Sequence, residues 1–265
     1  MIALALLTVL AAAPGPVGFV EAPAIEVWAS EDWPSDLLAA AGKLPKATLG
    51  LAMRTNMLRP ADAALLRKGP SLVRLQPSLA PAHVDQLRKL TRTTLVVPLA
   101  APLGEKLGAE LMRLGPQPLR IVLQRLDAPM AASLRVLKNA EVELDIRGRV
   151  PDQEELGLLL GLGRLRRVVR LRADAPVALI SALKLTRPVR LVVESVEGRV
   201  PEAMTSALLE AGLATRVAVD LSALPDDLKR LAPLPQITLE LALSGDPEAA
   251  LPRARSLLGA LLVGP

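Results

Sequence analysis

The sequence predicts an α/β chain of tandem strand–helix units, about ten of them, curved into an open solenoid around a parallel sheet. Three observations lead there. Prolines recur at a near-constant spacing, each opens a stretch with helical periodicity, and a short alternating segment precedes each one. Pro34, Pro60, Pro81, Pro102, Pro129, Pro151, Pro176, Pro201, Pro225 and Pro247 lie 21 to 27 residues apart. That interval falls in the window of repeat architectures.

Residues 1–22 precede the first unit. Ile2 to Ala13 are apolar and end in Ala11-Ala12-Ala13, ahead of Pro14-Gly15-Pro16. The run is too short for a bilayer, which needs about 20 apolar residues, but it matches the apolar core of an export signal. The expectation is a signal or N-terminal extension over 1–22, a single repeat domain over 23–265, and a periplasmic or extracellular location. A buried first strand or helix is the competing reading.

The helices follow from the prolines. Proline suits the first helical position, where an N–H has no partner anyway. Apolar residues then recur at helical spacing, as in Val84-Leu87-Leu90 and Leu228-Leu231-Leu234. The strands follow from alternation with period two, clearest in Val142 to Ile146, Val189 to Val193, Val217 to Leu221 and Ile237 to Leu241. Strand and helix in strict succession, with short connections, imply parallel neighbours.

One strand face is apolar and packs under the helices. The other carries Glu26 and Trp28, Arg74, Arg120, Glu143 and Asp145, Arg170 and Arg172, Glu194, Arg216, Asp220 and Glu240. In a closed β/α barrel of the TIM type this face fills an interior that is mostly aliphatic. Each ion left unpaired there would cost several kcal/mol. On an open arc the same face is wet. The arc is therefore the expected fold, and the closed barrel its alternative.

Leu224-Pro225, Leu228, Leu231, Leu234, Ile237 and Leu239 resemble a bacterial leucine-rich repeat, and Ala80-Pro81, Val84, Leu87 and Leu90 follow its first part. The family's asparagine after the strand is replaced here by Ala242. The resemblance, carried best by residues 224–241, implies a curved β/α stack that binds partners and has no catalytic residues of its own.

Composition narrows the chemistry. With no cysteine and His83 as the lone histidine, disulfides, thiolate zinc sites and histidine-rich metal sites are excluded. No phosphate-binding glycine loop is present, so no cofactor is expected. The net charge of +5 is split into blocks and comes with almost no aromatics, which disfavours nucleic acid. His83, in the first turn of a helix, reads as a cap.

The expected function is an exported, non-catalytic module binding a protein or an anionic polymer on its concave strand face. Arg74, Arg120, Arg170, Arg172, Trp28 and Trp33 are the candidate binding residues, the two tryptophans doubling as cover for the end of the stack. The alternative is a barrel hydrolase acting on carbohydrate, with Asp145, Glu194 and Asp220 at strand ends as acid/base candidates. A ladder of opposite charges across neighbouring strands is the simpler account of those carboxylates. A purely structural envelope protein is the third reading.

Overall fold

A computed structural model describes residues 24–44, 46–185, 189–234 and 237–262. The segment read as an export signal, 1–22, lies outside them. The strands are β1 (Ala24–Ser30), β2 (Ala47–Ala52), β3 (Ser71–Arg74), β4 (Thr93–Leu99) and β5 (Leu119–Leu123). They continue with β6 (Ala140–Asp145), β7 (Arg166–Arg172), β8 (Arg190–Glu194), β9 (Thr215–Val219) and β10 (Thr238–Ala242). A helix follows each strand: α1 (Ser35–Ala41), α2 (Pro60–Leu66), α3 (Pro81–Leu87), α4 (Glu105–Arg113) and α5 (Ala128–Leu134). The rest are α6 (Gln153–Leu160), α7 (Val177–Leu185), α8 (Glu202–Ala211), α9 (Pro225–Lys229) and α10 (Pro247–Leu262). None of the described helices is long and apolar enough to cross a membrane.

The local rules hold unit by unit. Pro60, Pro81, Pro225 and Pro247 are first residues of their helices, and Pro34 and Pro201 are N-caps. His83 accepts a hydrogen bond from the Ala80 N–H on Nδ1 at 3.2 Å, as a cap does. Each helix carries the chain back, so every strand runs parallel to the last. The outward-facing residues, such as Val27, Leu51, Val97, Ile121, Leu144 and Val193, are buried beneath the helices in one continuous apolar layer.

The open solenoid is overturned by a single pairing. β1 pairs in parallel with β2 on one side and with β10 on the other, from Ala24↔Thr238 to Trp28↔Ala242. Strands in chain order therefore close into a ten-stranded barrel, and the resemblance to leucine-rich repeats, whose arc leaves two strand edges free, is corrected with it. Leu228, Leu231, Leu234, Ile237 and Leu239 are buried as expected. Their spacing from helix into strand serves any β/α unit and does not encode curvature. There is no concave outer face and no end of a stack for tryptophans to cover.

The ring closes with the stagger that a barrel requires. Ser30, Ala52, Arg74, Val96, Arg120, Glu141 and Arg166 stand opposite one another in succession. A row of direct neighbours thus begins at the last residue of β1 and ends at the first of β7.

The charges that argued against closure are inside the barrel, and they answer one another. Arg120 on β5 reaches across to Glu26 on β1 at 3.1 Å and meets Glu141 at 3.1 Å. Arg170 on β7 donates from Nε to Glu143 at 2.6 Å and from Nη2 to Glu240 on β10 at 2.8 Å. Arg216 adds longer contacts to Glu26 at 3.4 Å and Glu143 at 3.9 Å. Burial alone would lower the pKa of Arg170, but Glu240 and Glu143 outweigh it and raise it above its ordinary value. Small apolar groups fill the space around this band, Trp28, Leu72 and Val96 on one side and Val168, Val192 and Ala218 on the other.

Removing one member of such a network leaves its partners buried and unpaired. Arg170→Met is expected to lower unfolding free energy by about 3–5 kcal/mol in urea denaturation. Replacing Glu143 and Glu240 by Leu in the same background is expected to recover most of that loss.

Candidate functional site

Parallel closure brings the C-terminal ends of all strands to one mouth, where β/α barrels carry their chemistry. A cavity of about 530 Å³ opens there. Its walls differ in character. The β3–β5 side supplies Arg74, Val96, Pro98 and Val122, and the β6–β9 side supplies Asp145, Arg147, Glu194 and Asp220. Arg170, Glu143 and Glu240 from the buried band form part of the lining.

The three carboxylates expected to matter in a barrel are all on this mouth, but they are not equivalent. Asp145 receives Arg147 Nε at 3.0 Å, Arg147 Nη2 at 2.8 Å and the Arg147 backbone N–H at 3.1 Å. Burial tends to raise the Asp145 pKa, but these bonds outweigh it and hold the carboxyl below its ordinary value. The same guanidinium donates from Nη1 to Glu194, which also lies 3.9 Å from Arg170. Asp220 has no cation partner among the described residues. Its Oδ1 accepts the Ser222 N–H at 2.8 Å and the Ser222 hydroxyl, and Oδ2 is left open.

The arginines divide in the same way. Arg120 and Arg170 are buried and spent on the internal network, and Arg172 is exposed and paired with Asp174 at 2.9 Å. Among the described residues the Arg74 side chain makes no hydrogen bond and no ion pair. Its guanidinium lies over the Trp28 ring, 4.8 Å from the centroid, and opens to the cavity. Burial pushes its pKa below the ordinary arginine value, with Glu240 pulling the other way.

Trp28 takes this place because Gly50 faces it. A Cβ at Gly50 would stand 2.6 Å from the Trp28 ring, so the missing side chain makes room for the indole. Trp33, in contrast, is buried in the outer apolar layer, away from the cavity. The candidate binding set is therefore split: Arg74 and Trp28 form one feature of the mouth, and Arg120, Arg170, Arg172 and Trp33 have other employment. The expected ladder is real in part, since Asp145 stands opposite Arg170 and Arg172 opposite Glu194. Arg170 also bonds Glu143 on the neighbouring strand at 2.6 Å, while other bonds of the band cross the barrel, as Arg120 to Glu26 and Arg170 to Glu240 do.

Arg147 stands outside the expected binding and acid/base sets, yet it clamps two carboxylates. Its signal in the sequence is its place two residues after Asp145, just before Gly148. That glycine has φ of 125°, and the turn it allows folds the arginine back over the strand end.

No protein-family model and no curated protein matches this chain. Among solved structures, a mutant tryptophan synthase alpha-subunit from Pyrococcus furiosus superposes with a TM-score of 0.48 at 12% identity, covering 90% of this chain and 97% of that one. The open form of tryptophan synthase from M. tuberculosis gives 0.42 at 14% identity, covering 90% and 91%. Likenesses this distant bear on no residue and no reaction, and the barrel stands on its own strand pairing.

The depressed carboxylates set the acid limit of the fold. Burial raises the Glu240 pKa, but Arg170 and then Arg216 and Arg120 bring it below its ordinary value. A carboxyl lowered on folding stabilises the protein above its unfolded pKa, about 4.3 for glutamate. That stabilisation is lost as pH falls through the lower folded value. Thermal midpoints are expected to change little from about pH 7 to 5 and to fall steeply below about pH 4. Glu240→Gln should flatten the acid slope, and an unchanged slope would contradict this assignment.

Proposed function

We propose that the protein binds a small anionic molecule in the cavity at the C-terminal mouth, with the anionic group seated on Arg74. One observation carries this reading. Among the described residues, the other arginines lining the cavity are answered by carboxylates, and Arg74 lines it with its donors unspent.

A guanidinium presents five N–H donors in a fixed plane. Arg74 keeps part of its surface in solvent, and burial of the rest lowers its pKa while the N–H donors stay available to a ligand. The stack on Trp28 holds the plane by a cation–π contact while its edge stays free. That edge suits a carboxylate or phosphate in a two-pronged arrangement. The cavity volume falls in the usual range for small-molecule sites, and Val96, Pro98 and Val122 offer apolar cover for a carbon skeleton. The closed sheet leaves this face open only at the mouth, which favours a small ligand.

A carbohydrate hydrolase is the second reading, favoured by the convergence of Asp145, Glu194 and Asp220 on one mouth. It needs a carboxylic acid that keeps its proton to protonate the leaving oxygen. Arg147 holds Asp145 ionised and occupies Glu194 as well, and among the described residues Trp28 is the one aromatic beside the cavity. Those features favour the binding reading over hydrolysis.

The test uses Trp28 as its own reporter, in a Trp33→Phe background that leaves one indole. Titration with hexanoate or with phenyl phosphate is expected to change its emission saturably. Arg74→Gln should weaken the response at least about tenfold, the loss of one charge-assisted contact. An anion response independent of Arg74, or none with either probe, overturns the reading.

A further inference from the structure

Two charges on the cavity wall are left over once every internal ion pair is assigned, and they have opposite sign. Arg74, at the end of β3, is the lining guanidinium without a carboxylate among the described residues. Asp220, just past β9, is the lining carboxylate without a cation among the described residues. The other charged groups there are spent: Arg147 on Asp145 and Glu194, and Arg170 on Glu143 and Glu240.

The two stand on different walls. The barrel order places β3 and β9 four strands apart by way of β1 and β10. Both line the same cavity, yet no ion pair joins them. Val96, Val122, Ala218 and Val219 give the same cavity an apolar lining. Asp220 is also oriented by its own turn. Ser222 takes Oδ1 twice, which fixes the carboxylate and leaves Oδ2 as an acceptor for something else.

From this we infer that the ligand of the mouth is a zwitterion: an anionic group on Arg74, an ammonium or similar cation on Asp220, and a short apolar segment between. This rests on the anion-binding reading and sharpens it. A purely anionic ligand would leave Asp220 unanswered and would bring a second negative charge toward Glu194 and Asp145. A zwitterion meets both leftover charges and adds no net charge to the cavity.

The experiment compares three probes of one chain length: aminohexanoate, hexanoate and hexylamine. Shorter and longer aminocarboxylates are added to find the span between the two groups. Binding is read from Trp28 emission in the Trp33→Phe background and confirmed by calorimetry. The best aminocarboxylate is expected to bind about tenfold more tightly than its matched carboxylate, the worth of one further charge-assisted contact. Asp220→Asn keeps an oxygen for Ser222, so the turn should persist, and it is expected to erase that advantage without weakening the plain carboxylate. Asp220→Ser serves as a second variant if the first fails to fold.

If no aminocarboxylate outbinds its matched carboxylate while carboxylate binding still depends on Arg74, the zwitterion is wrong and the anion site stands. If the preference survives both Asp220 variants, Asp220 is not the cation's partner and the inference is overturned. If Arg74 has no effect on any probe, both readings fall.

Discussion

A ring of ten strands has to be filled. Barrel diameter grows with strand number, and eight strands already leave just enough room for side chains to meet in the middle. Two more strands widen the lumen beyond what leucine and valine can span. Arginine is long enough. Arg120 crosses from β5 to Glu26 on β1, and Arg170 crosses from β7 to Glu240 on β10. These side chains act as struts, and their charge is tolerated because a glutamate ends each one. Burying an ion costs several kcal/mol unless its partner is well placed. The band therefore stands or falls as a unit, and the rest of the architecture hangs on it: β1 can meet β10 because the space they close is already neutralised.

Much of the fold could be read from residues. The period of the prolines, the alternating strands and the apolar layer beneath the helices are local properties, set by φ restrictions, N–H accounting and side-chain direction. Closure is not local. It depends on whether the first strand finds the last, and a repeating unit has the same pattern in an arc and in a ring. The charges on the inner face pointed the wrong way because solvent and a counter-ion are two answers to one problem. Glu26 and Arg120 are 94 residues apart, and nothing in the sequence marks them as a pair. The site was legible to the extent that position is legible. Asp145, Glu194, Asp220 and Arg74 stand at or next to strand ends, so each could be named. Which of them are already spent is decided across the barrel or inside a turn. Only the assembled mouth separates Asp145, clamped by Arg147, from Asp220.

The rim that carries these groups is held in a repeated way. Gly148-Arg149-Val150-Pro151 follows β6, and Gly198-Arg199-Val200-Pro201 follows β8. Both glycines have positive φ, 125° and 74°. Both arginines tie their loop down, Arg149 to Glu155 and to the Gln124 carbonyl at 2.7 Å, Arg199 to Asp227 at 3.3 Å. Gly198 has a second constraint. A Cβ there would stand 2.5 Å from the Ala223 backbone, so this loop packs directly against the turn that orients Asp220. The two loops thus fix Arg147 and its carboxylates on one flank and the Asp220 turn on the other.

The floor of the cavity and the struts of the barrel are the same atoms. Arg170, Glu143 and Glu240 line the cavity from below while joining β6, β7 and β10. A site built on such a floor is rigid, since moving any of the three would strand a buried charge. Its freedom to specialise therefore lies in groups the network does not need. Arg74 and Asp220 are of that kind: among the described residues no ion pair joins either to the network, and each lines the cavity. A guanidinium held on a tryptophan without a carboxylate adds no ion pair to the fold. Sites that bind or react characteristically retain groups that the fold alone would discard. The mouth has such a pair, of opposite sign, above a floor too constrained to change.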